Sequence, residues 1–127
     1  MKIRTGIDII EVERIHQSVA NSGPHFTERI YTKSEIEYCS SAANKYERFA
    51  ARFAAKEAFV KALGTGFTGG IVHTMVEIDK DNNGKPILKL HGRAQEELKK
   101  LKVISIDLSI SHVRDTAAAS VTILSRK

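Results

Sequence analysis

Apolar and polar residues alternate along several stretches of the chain, and each such stretch predicts a β-strand. The first stretch runs from Lys2 to Ile10 and places Ile3, Ile7 and Ile9 on one face and Asp8 on the other. This pattern is typical of a half-buried strand. It predicts that the side chain of Asp8 points away from the isoleucines.

Apolar residues at spacings of three and four predict helices in the first half of the chain. A short helix is expected from Glu11 to Ala20, and a further helical turn holds Phe26, Arg29 and Ile30. The sequence TKSE at 32–35 has the spacing of a capping box. It predicts the start of another short helix.

The strongest helical pattern runs from Tyr46 to Leu63 and predicts a central helix. It ends at residues 64–70, where four glycines in seven residues predict a loop. Beyond the loop we expect a hairpin of two strands, a helix and two final strands, at 75–80, 85–91, 92–101, 103–110 and 116–124. The sequence therefore predicts one α+β domain over residues 1–127, with a mainly antiparallel sheet packed on the central helix.

The composition limits the classes of protein to which the chain can belong. Hydrophobic residues make up 42% and charged residues 28% of the 127 residues, as in folded globular domains. No apolar stretch is long enough to span a membrane, and the first residues lack the apolar core of a signal peptide. The single Cys39 excludes an internal disulfide and a zinc site built on cysteines. We therefore expect a cytoplasmic protein with no membrane contact.

The charge balance indicates what kind of partner the chain binds. Lysine and arginine total 20 against 15 aspartates and glutamates, which gives a net charge of +5. This excess favours an acidic protein or a phosphate-rich ligand. Aromatic residues make up only 6% and the chain has no tryptophan, so it is poorly supplied with stacking surfaces for single-stranded nucleic acid. The sequence favours a polyanion other than nucleic acid.

Three charged residues are candidates for a phosphate-processing site. Glu57 and Lys61 lie one turn apart on the central helix, where they form either an exposed ion pair or the edge of a cleft. Asp8 lies on an otherwise apolar strand, and its side chain either faces solvent or meets Glu57. Two carboxylates from different elements would suit Mg²⁺, which binds one or two carboxylates together with phosphate and water.

Other basic residues have two interpretations each. Lys56 falls within the apolar stripe of the central helix, where its stem is buried and its ammonium group either finds a partner or reaches solvent. Arg48, Arg52, Lys56 and Lys61 either hold phosphates together or form a solvated basic face. His112 follows a predicted strand and is either a binding residue or a polar turn residue. Motifs of zinc hydrolases, P-loop enzymes and serine hydrolases do not occur.

Four short motifs follow one another along the chain. They are GIDI at 6–9, RFAAKEAFVKALGTG at 52–66, NGKP at 83–86 and SISH at 109–112. In sequence and order they closely resemble the holo-acyl-carrier-protein synthases, a family of 4′-phosphopantetheinyl transferases. The resemblance covers nearly the whole chain, and the central block is far more specific than any residue pair within it.

The resemblance implies the phosphopantetheinyl transferase fold and the transfer of 4′-phosphopantetheine from coenzyme A to a serine of an apo acyl carrier protein. Adenosine 3′,5′-bisphosphate leaves, and the product supports fatty acid biosynthesis. Asp8 and Glu57 would hold Mg²⁺, with Mn²⁺ as a candidate replacement, and Lys61 would neutralise or protonate the leaving phosphate. The serine proton would pass to water on the metal or to a carboxylate, with Glu57 the first candidate.

The resemblance also implies a homotrimer whose active sites lie between two subunits. The resemblance implies contacts to coenzyme A from Arg52, Gly64, Thr65, Asn83, Gly84, Lys85, Pro86 and His112. The acidic carrier protein would dock on Arg14, Phe26 and Arg29. The net charge of +5 fits such a partner.

Two other functions remain open from the residues alone. Paired carboxylates with a nearby lysine also suit a Mg²⁺-dependent nuclease, although the helical spacing of Glu57 and Lys61 differs from the usual nuclease pattern. A basic module that binds nucleic acid would need no carboxylates, and its affinity would fall steeply with salt. Dependence on coenzyme A distinguishes the transferase from both.

Overall fold

A three-stranded sheet and a long helix form the centre of the molecule. The computed structural model describes all 127 residues. In chain order the elements are β1 (Lys2–Glu11), α1 (Val12–Ser22), α2 (Pro24–Ile30), α3 (Lys33–Ser40), α4 (Lys45–Leu63), β2 (Val76–Lys80), β3 (Pro86–Leu90), α5 (Gly92–Lys100), β4 (Val103–His112) and β5 (Thr116–Ser125). The sheet has the order β1-β5-β4, β2 and β3 form a separate hairpin, and all pairs are antiparallel. The predicted α+β class is confirmed.

The core lies between the sheet and α4. On β5, the middle strand, Ala117, Ala119, Val121 and Ile123 are buried, as the alternation predicts. A row of fully buried alanines on α4 lets the helix approach the sheet closely. None of the helices combines the length and the apolarity that crossing a membrane requires.

The buried face of β1 is the one opposite its isoleucines. Gly6 packs so closely on α4 that a Cβ atom there would lie 2.0 Å from the carbonyl oxygen of Ala58. Only glycine allows this approach of the two backbones. Ile3, Ile7 and Ile9 point away from α4 and are 67% to 70% exposed. The predicted strand is therefore correct, but Ile3, Ile7 and Ile9 do not belong to the core of the single chain.

A buried ion pair joins α3 to α4. The predicted capping box is present, because Thr32 Oγ1 accepts from the Glu35 backbone and Glu35 Oε1 accepts from the Thr32 backbone. Glu35 Oε1 also accepts from Lys56 Nζ at 2.8 Å, and both side chains are fully buried. Of the two interpretations of Lys56, the structure therefore confirms the one in which its ammonium group finds a partner. This group does not contribute to a basic surface.

The start of β4 departs from simple alternation. A register shift between Val103 and Ser105 inserts a bulge into its pairing with β5. Such a shift moves the neighbouring side chains to the other face of the sheet. Ile104 is consequently 44% exposed, although the alternation predicts it on the core side, and Val103 packs on the core instead.

Candidate functional site

Two clefts beside α4 contain half of the candidate residues. The first, of about 220 Å³, is named the carboxylate cleft, and its lining includes Asp8, Arg14, Phe26, Phe53 and Glu57. The second, of about 330 Å³, is named the cationic cleft, and its lining includes Tyr38, Arg48, Arg52, Lys80, Pro86 and His112. The two clefts share no lining residue. One chain therefore does not gather all the candidates in one place.

The carboxylate cleft forms where β1 crosses α4. The close contact at Gly6 brings the following turn of β1 to the helix, so that Asp8 and Glu57 line the same cleft. The side chain of Asp8 is 16% exposed, which contradicts a location on the solvent face. Lys61 Nζ lies 3.0 Å from Asp8 Oδ1 and 3.0 Å from the Ile7 carbonyl oxygen. The lysine therefore pairs with β1 rather than with Glu57.

The electrostatics of this cleft favour a bound cation. Burial raises the pKa of the Glu57 carboxyl group, the negative charge of Asp8 raises it further, and Lys61 opposes the shift. A positive ion near both carboxylates would relieve their repulsion. No third His, Cys, Asp or Glu side chain joins them in a larger metal-binding group. Two hard oxygen donors beside open space match the preference of Mg²⁺ for one or two carboxylates plus phosphate and water.

The cationic cleft is built around the ring of Tyr38. The guanidinium carbons of Arg48 and Arg52 lie 4.5 Å and 4.2 Å from the ring centroid, and Lys80 Nζ lies 4.4 Å from it. Burial raises the pKa of the Tyr38 hydroxyl, but the hydrogen bond and charge of Lys80, together with the two arginines, lower it below its ordinary value. Three cations around one aromatic ring form a site suited to a phosphate group.

Arg52 has an unmet hydrogen-bonding requirement in this cleft. The residue is only 7% exposed, and its buried Nε has no hydrogen-bond partner. A buried donor without a partner costs free energy, and a phosphate oxygen would satisfy it. His112 ends β4 at the same cleft, where its Nδ1 lies 2.8 Å from Glu47 Oε1. The residues of this cleft therefore fit a phosphorylated ligand.

The NGKP motif lies in the turn between β2 and β3. Asp81 Oδ1 accepts hydrogen bonds from the backbone nitrogens of Asn83 and Lys85 and so fixes the turn. Lys85 Nζ lies 2.5 Å from Asp107 Oδ1 on β4. Among the motif's residues only Pro86 lines the cationic cleft, because Asn83, Gly84 and Lys85 are exposed in the turn.

The remaining candidates lie at several places. Gly64 ends α4 in the left-handed conformation, at φ 81°, and neither Gly64 nor Thr65 lines either cleft. Arg14 and Phe26 line the carboxylate cleft, although Phe26 is largely buried in the core beneath it. Arg29 is exposed on α2.

Sequence reasoning missed three residues at these clefts. Tyr38 and Lys80 come from α3 and β2, and only the fold brings them to Arg52. His73 forms part of a 3₁₀ turn before β2, and its Nε2 lies 3.4 Å from Glu57 Oε1. No spacing in the sequence connects His73 with Glu57, so no local signal could have identified it.

Comparisons with known proteins give one consistent result. The sequence profile of the 4′-phosphopantetheinyl transferase superfamily matches residues 4–121. The chain is 49% identical over 121 residues to the holo-[acyl-carrier-protein] synthase of Koribacter versatilis, covering 95% of this chain and 97% of that protein. Its structure resembles that of the holo-[acyl-carrier-protein] synthase of Neisseria meningitidis, with a TM-score of 0.86, 34% identity, and coverage of 95% of this chain and 97% of that one. The Helicobacter pylori synthase, solved in complex with coenzyme A, has a TM-score of 0.83, 32% identity, and coverage of 94% and 99%.

Proposed function

Because the chain belongs to the holo-[acyl-carrier-protein] synthases of the 4′-phosphopantetheinyl transferase superfamily, we propose that it transfers 4′-phosphopantetheine from coenzyme A to a serine of an apo acyl carrier protein. The serine oxygen forms a bond to the phosphorus that carries pantetheine, and the pyrophosphate bridge of coenzyme A breaks. Adenosine 3′,5′-bisphosphate leaves. The product is the holo carrier protein, which serves fatty acid biosynthesis.

The observation that most supports this proposal is the meeting of Asp8 and Glu57 in one cleft. These two carboxylates would hold Mg²⁺, or Mn²⁺, which shares the preference for oxygen ligands. When bound, the ion supplies charge neutralisation to the pyrophosphate. Lys61, which is bonded to Asp8, neutralises or protonates the leaving phosphate. The serine proton would pass to water or to a carboxylate, with Glu57 the first candidate.

Coenzyme A would be held through its phosphates in the cationic cleft. Arg52, with its unpartnered Nε, and the neighbouring Arg48 and Lys80 supply positive charge and donors. His112 and Pro86 line the same cleft and would lie beside the nucleotide. Further contacts of the bound molecule would come from the exposed turn and the loop after α4, at Gly64, Thr65, Asn83, Gly84 and Lys85.

A homotrimer would bring the two clefts together. The carboxylate and cationic clefts share no residue within one chain, yet the reaction needs the groups of both. Ile3, Ile7 and Ile9 form an exposed apolar row on the outer face of the sheet, and such rows mark protein interfaces. We therefore propose active sites between subunits, each combining the carboxylate cleft of one chain with the cationic cleft of the next.

Mixed oligomers test the shared site. Chains with Glu57→Gln and chains with His112→Ala, carrying different affinity tags, are co-expressed and purified through both tags. We expect mixed oligomers to regain transfer at coenzyme A concentrations where each variant alone is inactive, because some sites combine two intact halves. The control mixes Glu57→Gln with Lys61→Ala, which alter the same half, and it should stay inactive. If neither mixture regains transfer, the result contradicts the shared site.

The carrier protein would dock beside the carboxylate cleft. Arg14 lines this cleft and is exposed, Arg29 is exposed on α2, and the edge of Phe26 lies between the core and the cleft. Acidic carriers are attracted by such basic residues, which raises the association rate at low salt. This position presents the carrier's serine directly to Asp8 and Glu57.

Intact-mass spectrometry tests the reaction itself. An apo acyl carrier protein is incubated with the enzyme, coenzyme A and MgCl₂, and a second sample contains EDTA. We expect a mass gain of one phosphopantetheine group per carrier, one adenosine 3′,5′-bisphosphate released per transfer, and neither product with EDTA. If several carriers gain no mass while the protein cleaves DNA in the presence of Mg²⁺, the nuclease interpretation replaces this proposal.

The cysteine chemistry fits a reducing compartment. Cys39 is fully buried, and burial raises the pKa of its thiol to about 11, so the thiol is unreactive and forms no disulfide. Disulfide-free proteins of this size are common in the cytoplasm. We place the enzyme there.

A further inference from the structure

The ring of His73 is held in a fixed orientation beside the carboxylate cleft. Its centroid lies 3.6 Å from that of Phe67 and 5.8 Å from that of Phe53, and both ring pairs are stacked with interplanar angles of 21°. The His73 carbonyl oxygen accepts a hydrogen bond from the buried Lys56 Nζ at 3.0 Å. Both the backbone and the ring of His73 are therefore fixed by groups that belong to the core.

The edge of this ring faces Glu57. His73 Nε2 lies 3.4 Å from Glu57 Oε1, and no other hydrogen bond in the structure involves the Glu57 carboxylate. A neutral imidazole has one N–H, and an ionised carboxylate can only accept. The geometry therefore requires the proton on Nε2.

We propose that His73 is a positioning residue that donates its Nε2–H to Glu57 Oε1 and thereby holds the second oxygen, Oε2, available to the cleft shared with Asp8. Carboxylates that bind metal ions are commonly oriented by such a hydrogen-bond donor, and losing the donor typically weakens metal affinity about 10-fold to 100-fold. The proposal rests on the proposed role of Glu57 in holding Mg²⁺. It assigns His73 no contact with substrate.

The tautomer of His73 is the first test, and it needs neither metal nor substrate. In a two-bond ¹H–¹⁵N correlation spectrum of the wild-type protein labelled with ¹⁵N-histidine, the His73 resonances, assigned by their loss in His73→Phe or His73→Gln, should show the Nε2–H tautomer. Glu57→Leu, which removes the acceptor, should shift the Nε2 resonance. A ring protonated on Nδ1 alone would overturn the proposal.

Metal activation is the second test. His73→Phe keeps the stacking on Phe67 and removes the donor, whereas His73→Gln restores an amide N–H near the position of Nε2. We expect His73→Phe to raise the Mg²⁺ concentration for half-maximal transfer about 10-fold, with kcat at saturating Mg²⁺ and the KM for coenzyme A nearly unchanged. His73→Gln should recover most of this loss.

The control is His91→Phe, which removes a histidine that bonds Glu77 rather than Glu57. It should leave the Mg²⁺ requirement at the wild-type value. If wild type transfers phosphopantetheine and His73→Phe needs no more Mg²⁺ than wild type, the positioning role is wrong. If wild type transfers nothing at any Mg²⁺ concentration, the proposed function fails instead.

Discussion

Replacing Glu57 with glutamine is expected to lower phosphopantetheine transfer by about a thousandfold, because the change removes one of the two carboxylates that face the cleft. Glutamine has nearly the same size, so the packing beside His73 is retained. Asp8 keeps its bond to Lys61, but it is then the only carboxylate of the pair that remains to bind the metal ion. The measurement is the initial rate of carrier modification at saturating coenzyme A over a range of Mg²⁺ concentrations.

The same variant should be at least as stable as wild type. The pKa of Glu57 is raised in the folded protein by burial and by Asp8, so the folded state binds its proton more tightly than the unfolded state. The carboxyl group therefore contributes less stability as the pH rises through its titration, and at pH 7 its charge opposes folding. Glutamine removes this cost.

A loss of activity without a loss of stability separates a functional residue from a structural one. The control is Glu96→Gln, which neutralises an exposed carboxylate on α5 and should leave both the rate and the thermal midpoint unchanged. A Glu57→Gln enzyme that keeps more than about a tenth of the wild-type rate would refute the proposed metal site.

Local rules predicted the elements of this fold because each rule depends on neighbouring residues. The alternation of β5, the apolar stripe of α4 and the capping box at Thr32 and Glu35 are all decided within a few positions of the chain. These elements match their predictions to within one or two residues. Together these patterns predict the α+β class, since a helix packed on an antiparallel sheet accounts for all of them.

Structural features that depend on residues far apart in the sequence were harder to predict. The alternation of β1 is equally regular on both faces, and the contact of Gly6 with Ala58 on α4 decides which face is buried. Ile3, Ile7 and Ile9 stay exposed on a single chain, and the proposed homotrimer would cover them. The ion pair of Lys56 was equally hard to predict, because its partner Glu35 belongs to another helix and no local spacing indicates the pair.

In the candidate site, too, some residues could be identified from the sequence and others only from the fold. Asp8, Glu57 and Lys61 were proposed together from charge and family resemblance, and the structure brings them to one place. His73 has no ligand spacing in the sequence, and only the fold brings it next to Glu57. Sequence patterns therefore identified the charged groups, but not the histidine that contacts one of them.

Replacing Lys56 with methionine is expected to destabilise the fold by about 3 to 5 kcal/mol, because it leaves the buried Glu35 carboxylate without its counter-charge. The change also removes the donor to the backbone carbonyl groups of His73 and Val76, which Lys56 Nζ contacts at 3.0 Å and 2.7 Å. Burial already lowers the pKa of Lys56, and the Glu35 charge opposes this shift, so Lys56 depends on Glu35 for its ionised state. Urea denaturation measures the free energy of unfolding.

The double variant Glu35→Gln with Lys56→Met distinguishes the pair from simple packing. It should be more stable than Lys56→Met alone, because a neutral amide leaves no unpaired charge in the core, even though its single oxygen can accept only one of the two backbone N–H bonds that Glu35 receives from Thr32 and Ile78. Lys61→Met serves as the control, since it lies on the same helix with a side chain that is 53% exposed and should change stability by less than about 1 kcal/mol. If Lys56→Met is no less stable than Lys61→Met, the buried pair does not hold α3 against α4, and the fixed backbone of His73 loses its explanation.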